Sequence, residues 1–256
     1  MAEYGLLPII IPFIIGTVIA SIIARKKGVD FAKKLLGIWC ILVVAYYIVY
    51  KIGIQLDEEY AVLRVEGGMP EVSIWTELPI QMCDISLLLL PIEALSKKKV
   101  GFLRFFTIFF GIPAAVLAIV VPFPGFTGYS LLIPRVFGYY FTHLSIIFSG
   151  ISLLTFNIYR PTLKNFRWAT LMLAVAYWAN FLINVILRLV GLSVKSNYFF
   201  SYEPLGLVPL EFFYNIIPVP GLYLAVPVFL FIAAIYCLVC YISIRHSRLV
   251  KDNTDV

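Results

Sequence analysis

Long apolar runs alternate with short polar segments along the whole chain. The runs cover residues 6–24, 35–54, 78–95, 102–121, 137–157, 168–189 and 219–244. Each run is long enough to cross, as a helix, the roughly 30 Å hydrocarbon core of a bilayer. The pattern therefore predicts an all-α integral membrane protein, a bundle of about seven transmembrane helices that form a single polytopic domain over residues 1–256.

Basic residues concentrate in alternate connections between these runs. Those that follow the first, third, fifth and seventh predicted helices are Arg25, Lys26, Lys27, Lys33, Lys34, Lys97, Lys98, Lys99, Arg104, Arg160, Lys164, Arg167, Arg245, Arg248 and Lys251. The connection after the second helix is instead acidic, with Asp57, Glu58, Glu59, Glu66 and Glu71. Because cytoplasmic loops carry the lysine and arginine excess, we expect the N-terminus outside and the C-terminus in the cytoplasm, in a multi-pass protein of the plasma membrane.

Composition excludes a water-soluble fold, since 62% of the residues are hydrophobic and only 13% are charged. The net charge of +6 fits the orientation of a membrane protein, and we expect no nucleic-acid partner. All four cysteines lie inside apolar runs, so no disulfide framework is predicted: Cys40, Cys83, Cys237 and Cys240. The last outer connection contains an apolar stretch, residues 205–213, that is predicted to be re-entrant or interfacial.

Polar side chains interrupt three of the apolar runs. The third predicted helix contains Gln81, Cys83 and Asp84, and the fifth contains His143. In the fifth helix a stripe of small hydroxyl residues recurs at spacings of three and four, which allows close helix packing: Thr142, Ser145, Ser149 and Ser152. The sixth helix places polar side chains on one face: Tyr177, Asn180, Asn184 and Arg188. Intramembrane polar groups are costly, so these faces indicate a site rather than lipid contact.

Topology gives the depth of three of these side chains. Counting about 1.5 Å per residue from each predicted helix end puts Cys83, His143 and Asn184 at a similar depth near the outer surface. We therefore expect one polar chamber that opens toward the outer leaflet, with Arg135 and Arg188 at its rim.

Each candidate residue also has a structural interpretation. Cys83 and His143 fit a nucleophilic thiol and its base, or else an ordinary buried thiol and a hydrogen-bonded core histidine. Asp84 is expected to orient the histidine, pair with Arg188, carry protons or serve as a structural contact. Arg135 and Arg188 either hold a lipid phosphate or anchor the helices at the interface. No metal site and no cofactor are predicted, and the oligomeric state is left open.

Three short motifs occur in order from the third predicted helix onward. They are Leu78-Pro79-Ile80-Gln81-Met82-Cys83-Asp84, then Thr142-His143, then Asn197-Tyr198-Phe199-Phe200 followed by Glu203-Pro204. Together they resemble the signature segments of YwaF-like proteins, which are related to the transmembrane protein 164 acyltransferases. The sequence departs from that pattern at Pro218-Val219-Pro220-Gly221, where the family tends to have a Trp-Pro turn.

The resemblance implies a membrane enzyme that moves an acyl chain between phospholipids or other lipids. By that resemblance Cys83 is the acyl carrier and His143 its base, with Asn184, Asn197 and Tyr198 as the supporting polar motif. Asn184 or Tyr198 would hydrogen-bond the developing oxyanion. The alternative function is a small-solute transporter or ligand-binding membrane protein that uses Asp84, His143, Asn180 and Asn184.

Overall fold

The computed structural model describes residues 5–96, 100–122, 125–126, 128–204 and 208–252. The helices are α1 (Leu7–Lys27), α2 (Val29–Gln55), α3 (Glu58–Glu66), α4 (Met82–Leu95), α5 (Gly101–Phe106), α6 (Ile112–Val120), α7 (Pro134–Thr155), α8 (Leu163–Leu189), α9 (Val208–Ile216) and α10 (Ala225–Asp252). A π-helical turn, Thr107–Gly111, joins α5 to α6, and a 3-10 turn, Tyr198–Phe200, follows α8. No strand occurs in these ranges, so the all-α prediction is confirmed.

Five of the helical segments described are long and apolar enough to cross a membrane. They are α1, α2, the continuous segment from α5 through α6, α7 and α8. Large apolar side chains cover their outer surfaces; Ile14 and Leu42, for example, are exposed. Because such surfaces are stable only in lipid, the chain is a multi-pass integral membrane protein, as the sequence predicts.

Helix α7 lies at the centre of the bundle and packs against α1, α2, α4 and α6. The stripe of small hydroxyl residues on α7 is the reason, because Thr142, Ser145, Ser149 and Ser152 are all buried. Gly138, on the same helix, is so close to Tyr50 that an added Cβ would clash with the tyrosine ring. Small side chains thus let neighbouring backbones approach α7.

Several helix ends differ from those the apolar runs predict. The acidic connection contains α3, whose first turn begins where the Asp57 side chain accepts a hydrogen bond from the Tyr60 amide at 2.9 Å. Helix α4 begins at Met82 rather than at residue 78, since Pro79 precedes the capping residue Gln81. Helix α10 begins at Ala225 rather than at residue 219, because Gly221 adopts a left-handed turn with φ of 79°.

The apolar stretch of the last outer connection lies partly outside the described residues, which exclude 205–207. Its remainder enters α9, where Phe212 and Ile216 are exposed. An exposed apolar face on a short helix fits an interfacial segment.

Candidate active site

A cavity of about 410 Å³ lies between α2, α3, α4, α6 and α7. The segment after α8 covers part of it, with Ser196, Asn197 and Tyr198 on the wall. Most of the lining is aliphatic or aromatic, as in the walls formed by Leu117 and Phe126. A largely apolar cavity with a few converging polar groups is the usual form of a small-molecule site.

Cys83 and His143 both line this cavity. Cys83 is the second residue of α4, so its thiol lies at the positive end of the helix dipole, where negative charge is favoured. Tyr47 and Ile146 belong to the apolar cluster against which Cys83 packs. The fold thus places the two residues that the sequence singles out, one from α4 and one from α7, on the wall of one cavity.

The ring of His143 has a defined orientation. Its Nδ1 lies 2.7 Å from the carbonyl oxygen of Tyr139, one turn earlier on α7. A carbonyl oxygen only accepts, so Nδ1 carries the proton of the neutral ring and Nε2 keeps its lone pair. The Tyr139 ring lies 4.4 Å from the imidazole, centroid to centroid, and restrains it further. His143 therefore has the tautomer that a general base requires.

Asp84 has structural partners on both carboxylate oxygens. Oδ1 accepts a hydrogen bond from the Tyr47 hydroxyl at 2.7 Å, and Oδ2 accepts one from the Gln81 amide at 3.3 Å. Gln81 in turn accepts a hydrogen bond at Oε1 from the Phe199 amide at 2.9 Å. Asp84 and Gln81 therefore fix the first turn of α4, next to Cys83, and tie it to α2 and to the segment after α8.

The motif Asn197-Tyr198-Phe199-Phe200 folds into a strained turn over the cavity. Phe199 and Phe200 have φ values of 59° and 52°, which are costly for aromatic residues. The Tyr198 hydroxyl donates to the Trp75 carbonyl at 2.6 Å and accepts from the Leu78 amide at 3.0 Å. Burial raises the pKa of Tyr198, so its hydroxyl stays protonated near neutral pH. Tyr198 thus joins this turn to the residues that precede α4.

Asn184 is fully buried and does not line the cavity. Its Oδ1 accepts from the Tyr198 amide at 2.9 Å and from the Ser196 hydroxyl at 2.8 Å. Its Nδ2 donates to the Tyr198 carbonyl at 3.0 Å and to the Ser201 hydroxyl at 2.9 Å. With these bonds made, Asn184 positions the strained turn, and neither Asn184 nor Tyr198 is placed as an oxyanion donor.

Asn180 lies one turn away on α8, and only one of its polar atoms is paired. Nδ2 donates to the Ala176 carbonyl of the same helix at 2.8 Å, whereas Oδ1 has no hydrogen-bond partner among the described residues. Asn197, by contrast, shapes the turn, since its Oδ1 accepts from the amides of Tyr202 and Glu203. The predicted polar face of α8 is therefore structural along most of its length.

The two arginines expected at the rim are paired with acidic residues away from the cavity wall. Arg188 donates to Glu203 at 2.7 Å and to the Ser196 carbonyl at 2.8 Å, and its guanidinium stacks on Tyr202. Arg135 is buried and pairs with Asp57 and Glu59. Neither side chain lines the cavity, so both stabilise connections, and Asp84 is not the counter-ion of Arg188.

A charged cluster that the sequence pattern does not indicate lies on the cavity wall. It consists of Lys51 on α2, Arg64 on α3 and Glu77, which precedes α4. Lys51 contacts Glu77 at 2.7 Å, and Arg64 pairs with the other oxygen of the same carboxylate. The sequence indicates this cluster only by the position of Lys51 and Arg64, which lie on the predicted outer side of the membrane, where basic residues are few.

A second buried polar group, Glu93 on α4, lies outside the cavity lining. Its Oε1 accepts from the Thr107 hydroxyl of the π-helical turn at 2.7 Å. The described residues contain no group of three or more histidine, cysteine, aspartate or glutamate side chains placed to hold a metal ion.

An all-helical membrane bundle that contains a mostly apolar cavity, with a thiol and an imidazole on its wall, defines a multi-pass membrane protein with an internal cavity of small-molecule size. The sequence matches the TMEM164 family over residues 3–244, and the chain belongs to this family. No curated protein and no solved structure gave a match. The relationship to transmembrane protein 164 that the motifs indicate is confirmed, because the match spans all three of them.

Replacing Asn184 with alanine is expected to destabilise the protein by about 2 to 3 kcal/mol, because the buried Tyr198 amide loses its partner. The melting temperature in detergent should fall by roughly 5 to 10 °C. Asn180→Ala is the matched control on the same helix and should cost much less, since one of the Asn180 polar atoms is already unpaired. Equal losses in the two variants would contradict the positioning role of Asn184.

Proposed function

We propose that this chain is a membrane-embedded lipid acyltransferase that carries the acyl group on Cys83. The observation that supports it most strongly is the presence of Cys83, in the first turn of α4, and His143, with Nε2 as its acceptor nitrogen, on the wall of one largely apolar cavity. An apolar cavity of this kind accommodates acyl chains, and the pair supplies a nucleophile and a base.

The reaction has two acyl-transfer steps. His143 Nε2 takes the thiol proton, and the Cys83 sulfur attacks the ester carbonyl carbon of a donor lipid. The C–S bond forms, the ester C–O bond breaks, and the leaving alkoxide takes the proton back from the imidazolium. In the second step Nε2 takes the proton of an acceptor hydroxyl, whose oxygen attacks the thioester and releases the Cys83 thiolate, which recovers the proton.

The amides of Met82 and Cys83, in the first turn of α4, are the proposed oxyanion donors, because the Asp84 amide bonds the Gln81 side chain in a capping box. The first N–H groups of a helix have no partner within the helix and point toward its N-terminal end. Cys83 is the second residue of α4, so an oxyanion on an acyl group bound to its sulfur forms beside these amides. This assignment replaces the Asn184 and Tyr198 side chains, whose hydrogen bonds are used elsewhere.

The same proposal includes the topology. Seven crossings would be made by α1, α2, α4, the α5–α6 segment, α7, α8 and α10, with the N-terminus outside and the C-terminus in the cytoplasm. The basic residues after α1, Arg25, Lys26 and Lys27, support this orientation. The cavity mouth would then face the outer leaflet of the plasma membrane.

Acyl exchange between two lipids tests the function. Purified protein in detergent is incubated with a phospholipid that carries a labelled acyl chain and with an unlabelled lysophospholipid as acceptor. We expect label in the acceptor at a rate proportional to protein concentration and without an added cofactor. Absence of exchange, together with uptake of a small solute by proteoliposomes that depends on Asp84, would favour the transporter instead.

A further inference from the structure

The charged cluster of Lys51, Arg64 and Glu77 has more donors than its single carboxylate uses. One ammonium and one guanidinium face the two oxygens of Glu77, so these three side chains carry one excess positive charge, and the Asp84 carboxylate on the same cavity wall also acts on Lys51. The side chain of Arg64 is only 7% exposed, and its Nε–H is buried with no hydrogen-bond partner among the described residues. A buried guanidinium N–H without an acceptor is costly, and a ligand oxygen would satisfy it.

The cluster lines the same cavity as the thiol. Lys51 and Tyr47 are four residues apart on one face of α2, a separation of about 6 Å along the helix. The Tyr47 hydroxyl holds Asp84, the residue next to Cys83. Lys51 therefore lies one helical turn beyond Tyr47, toward the C-terminal end of α2. Lys51 and Cys83 both line the same cavity.

Resting on the acyl transfer proposed above, we propose that Lys51 and Arg64 bind the phosphate of the donor lipid headgroup, which places the nearby ester beside Cys83. Arg64 supplies its Nε–H on the side of the guanidinium fork away from Glu77, and Lys51 supplies ammonium donors that Glu77 does not use. In a glycerophospholipid only a few covalent bonds separate the phosphate from the ester carbonyl. Lys51 lies one helical turn, about 6 Å, from the tyrosine that holds the Cys83 segment, which is the scale of that separation.

Glu77 keeps the two cations in place before the lipid enters. It accepts a hydrogen bond from each of them, so the site is preorganised without bound anion. The ring centroid of Tyr47 lies 5.9 Å from the Lys51 ammonium, and that of Tyr60 lies 5.6 Å from the Arg64 guanidinium. These cation–π contacts stabilise both charges. The two cations are thus held in place, and a phosphate oxygen reaches the covered Arg64 Nε–H once the side chains over it shift.

Lipid binding tests this assignment without turnover. In the Cys83→Ala protein, the melting temperature is measured with added phosphatidylcholine, with diacylglycerol of the same acyl chains, and with inorganic phosphate. We expect phosphatidylcholine to bind at least tenfold more tightly than diacylglycerol, and inorganic phosphate to give no comparable shift. Equal binding of the two lipids would overturn the assignment. So would a full shift with inorganic phosphate alone.

Variants of the cluster give the second test. Lys51→Gln should reduce the preference for phosphatidylcholine over diacylglycerol about tenfold, with diacylglycerol binding unchanged. Arg64→Lys should have the same effect, because it keeps the charge but loses the planar guanidinium donors. Lys195→Gln, which removes an exposed lysine from the segment after α8, should leave the preference as it is. An intact preference in both cluster variants would contradict headgroup binding here. Because the assay measures binding, failure of acyl exchange in the wild type would count against the proposed function alone.

Discussion

Cys83→Ala is expected to abolish acyl exchange, with a fall of at least about 10³-fold in the rate per molecule. The covalent route needs a sulfur at this position, and no other cysteine thiol is placed on the cavity wall among the described residues. Cys83→Ser should lose roughly 10²-fold or more, since the hydroxyl is a much weaker nucleophile when its base is tuned for a thiol. The measurement is the initial rate of labelled acyl transfer to a lysophospholipid.

The control for this variant is Cys237→Ala, which removes an exposed cysteine from α10. It should exchange acyl chains at the wild-type rate. The Cys83→Ala protein should also keep its melting temperature to within a few degrees, because the thiol is partly buried and makes no hydrogen bond to another side chain in the described part of the chain. A rate within twofold of wild type in Cys83→Ala would show that the acyl group is not carried on this residue.

His143→Ala is expected to lower the rate of acyl exchange by roughly 10² to 10⁴-fold at neutral pH. The variant lacks the Nε2 acceptor that takes the thiol proton and later the proton of the acceptor hydroxyl. As pH rises, hydroxide takes over part of this role, so the deficit relative to wild type should shrink. Initial rates over a range of pH, at saturating donor lipid, measure this change.

The other histidine of the chain provides the comparison for this variant. His246 lies in the basic C-terminal segment, and His246→Ala should leave both the rate and its pH dependence as they are in wild type. A constant deficit of His143→Ala at every pH would indicate that the imidazole only packs against Tyr139 and does not move protons.

Much of the fold follows from local pattern. The apolar runs predict the membrane helices because each needs only its own length and composition to be stable in lipid. The hydroxyl stripe of α7 indicates a buried face, and all four of its members are buried. The sequence pattern does not predict helix α3, because its nine residues contain no apolar run and Asp57, which caps it, is one of the acidic residues of the connection.

The candidate site was predictable only in part. Depth along the predicted helices places Cys83 and His143 in the same layer, and the fold puts both on one cavity wall. Depth does not reveal which side chains pair across connections, so Arg188 was not assigned to Glu203, and Glu77 was not assigned to Lys51 and Arg64. Such pairs depend on the path of segments that have no periodicity of their own.

The strained turn after α8 shows the same limit. Its residues form a recognisable motif, yet the positive φ values at Phe199 and Phe200 arise because Asn184, Asn197 and Gln81 fix the backbone from three directions. Strain of this kind persists only where surrounding contacts over-determine it. The motif therefore specifies a shaped cover for the cavity, while the proposed chemistry rests on Cys83 and His143.

Detection of an acyl group on Cys83 tests the central claim most directly. Wild-type protein is mixed with a phospholipid that carries a labelled acyl chain, quenched, digested and analysed by mass spectrometry before and after neutral hydroxylamine. The account predicts a hydroxylamine-sensitive acyl adduct on the peptide that contains Cys83, absent from Cys83→Ala and reduced in His143→Ala. Acyl exchange that proceeds at the wild-type rate with no adduct on Cys83, or with the adduct on another residue, would contradict it.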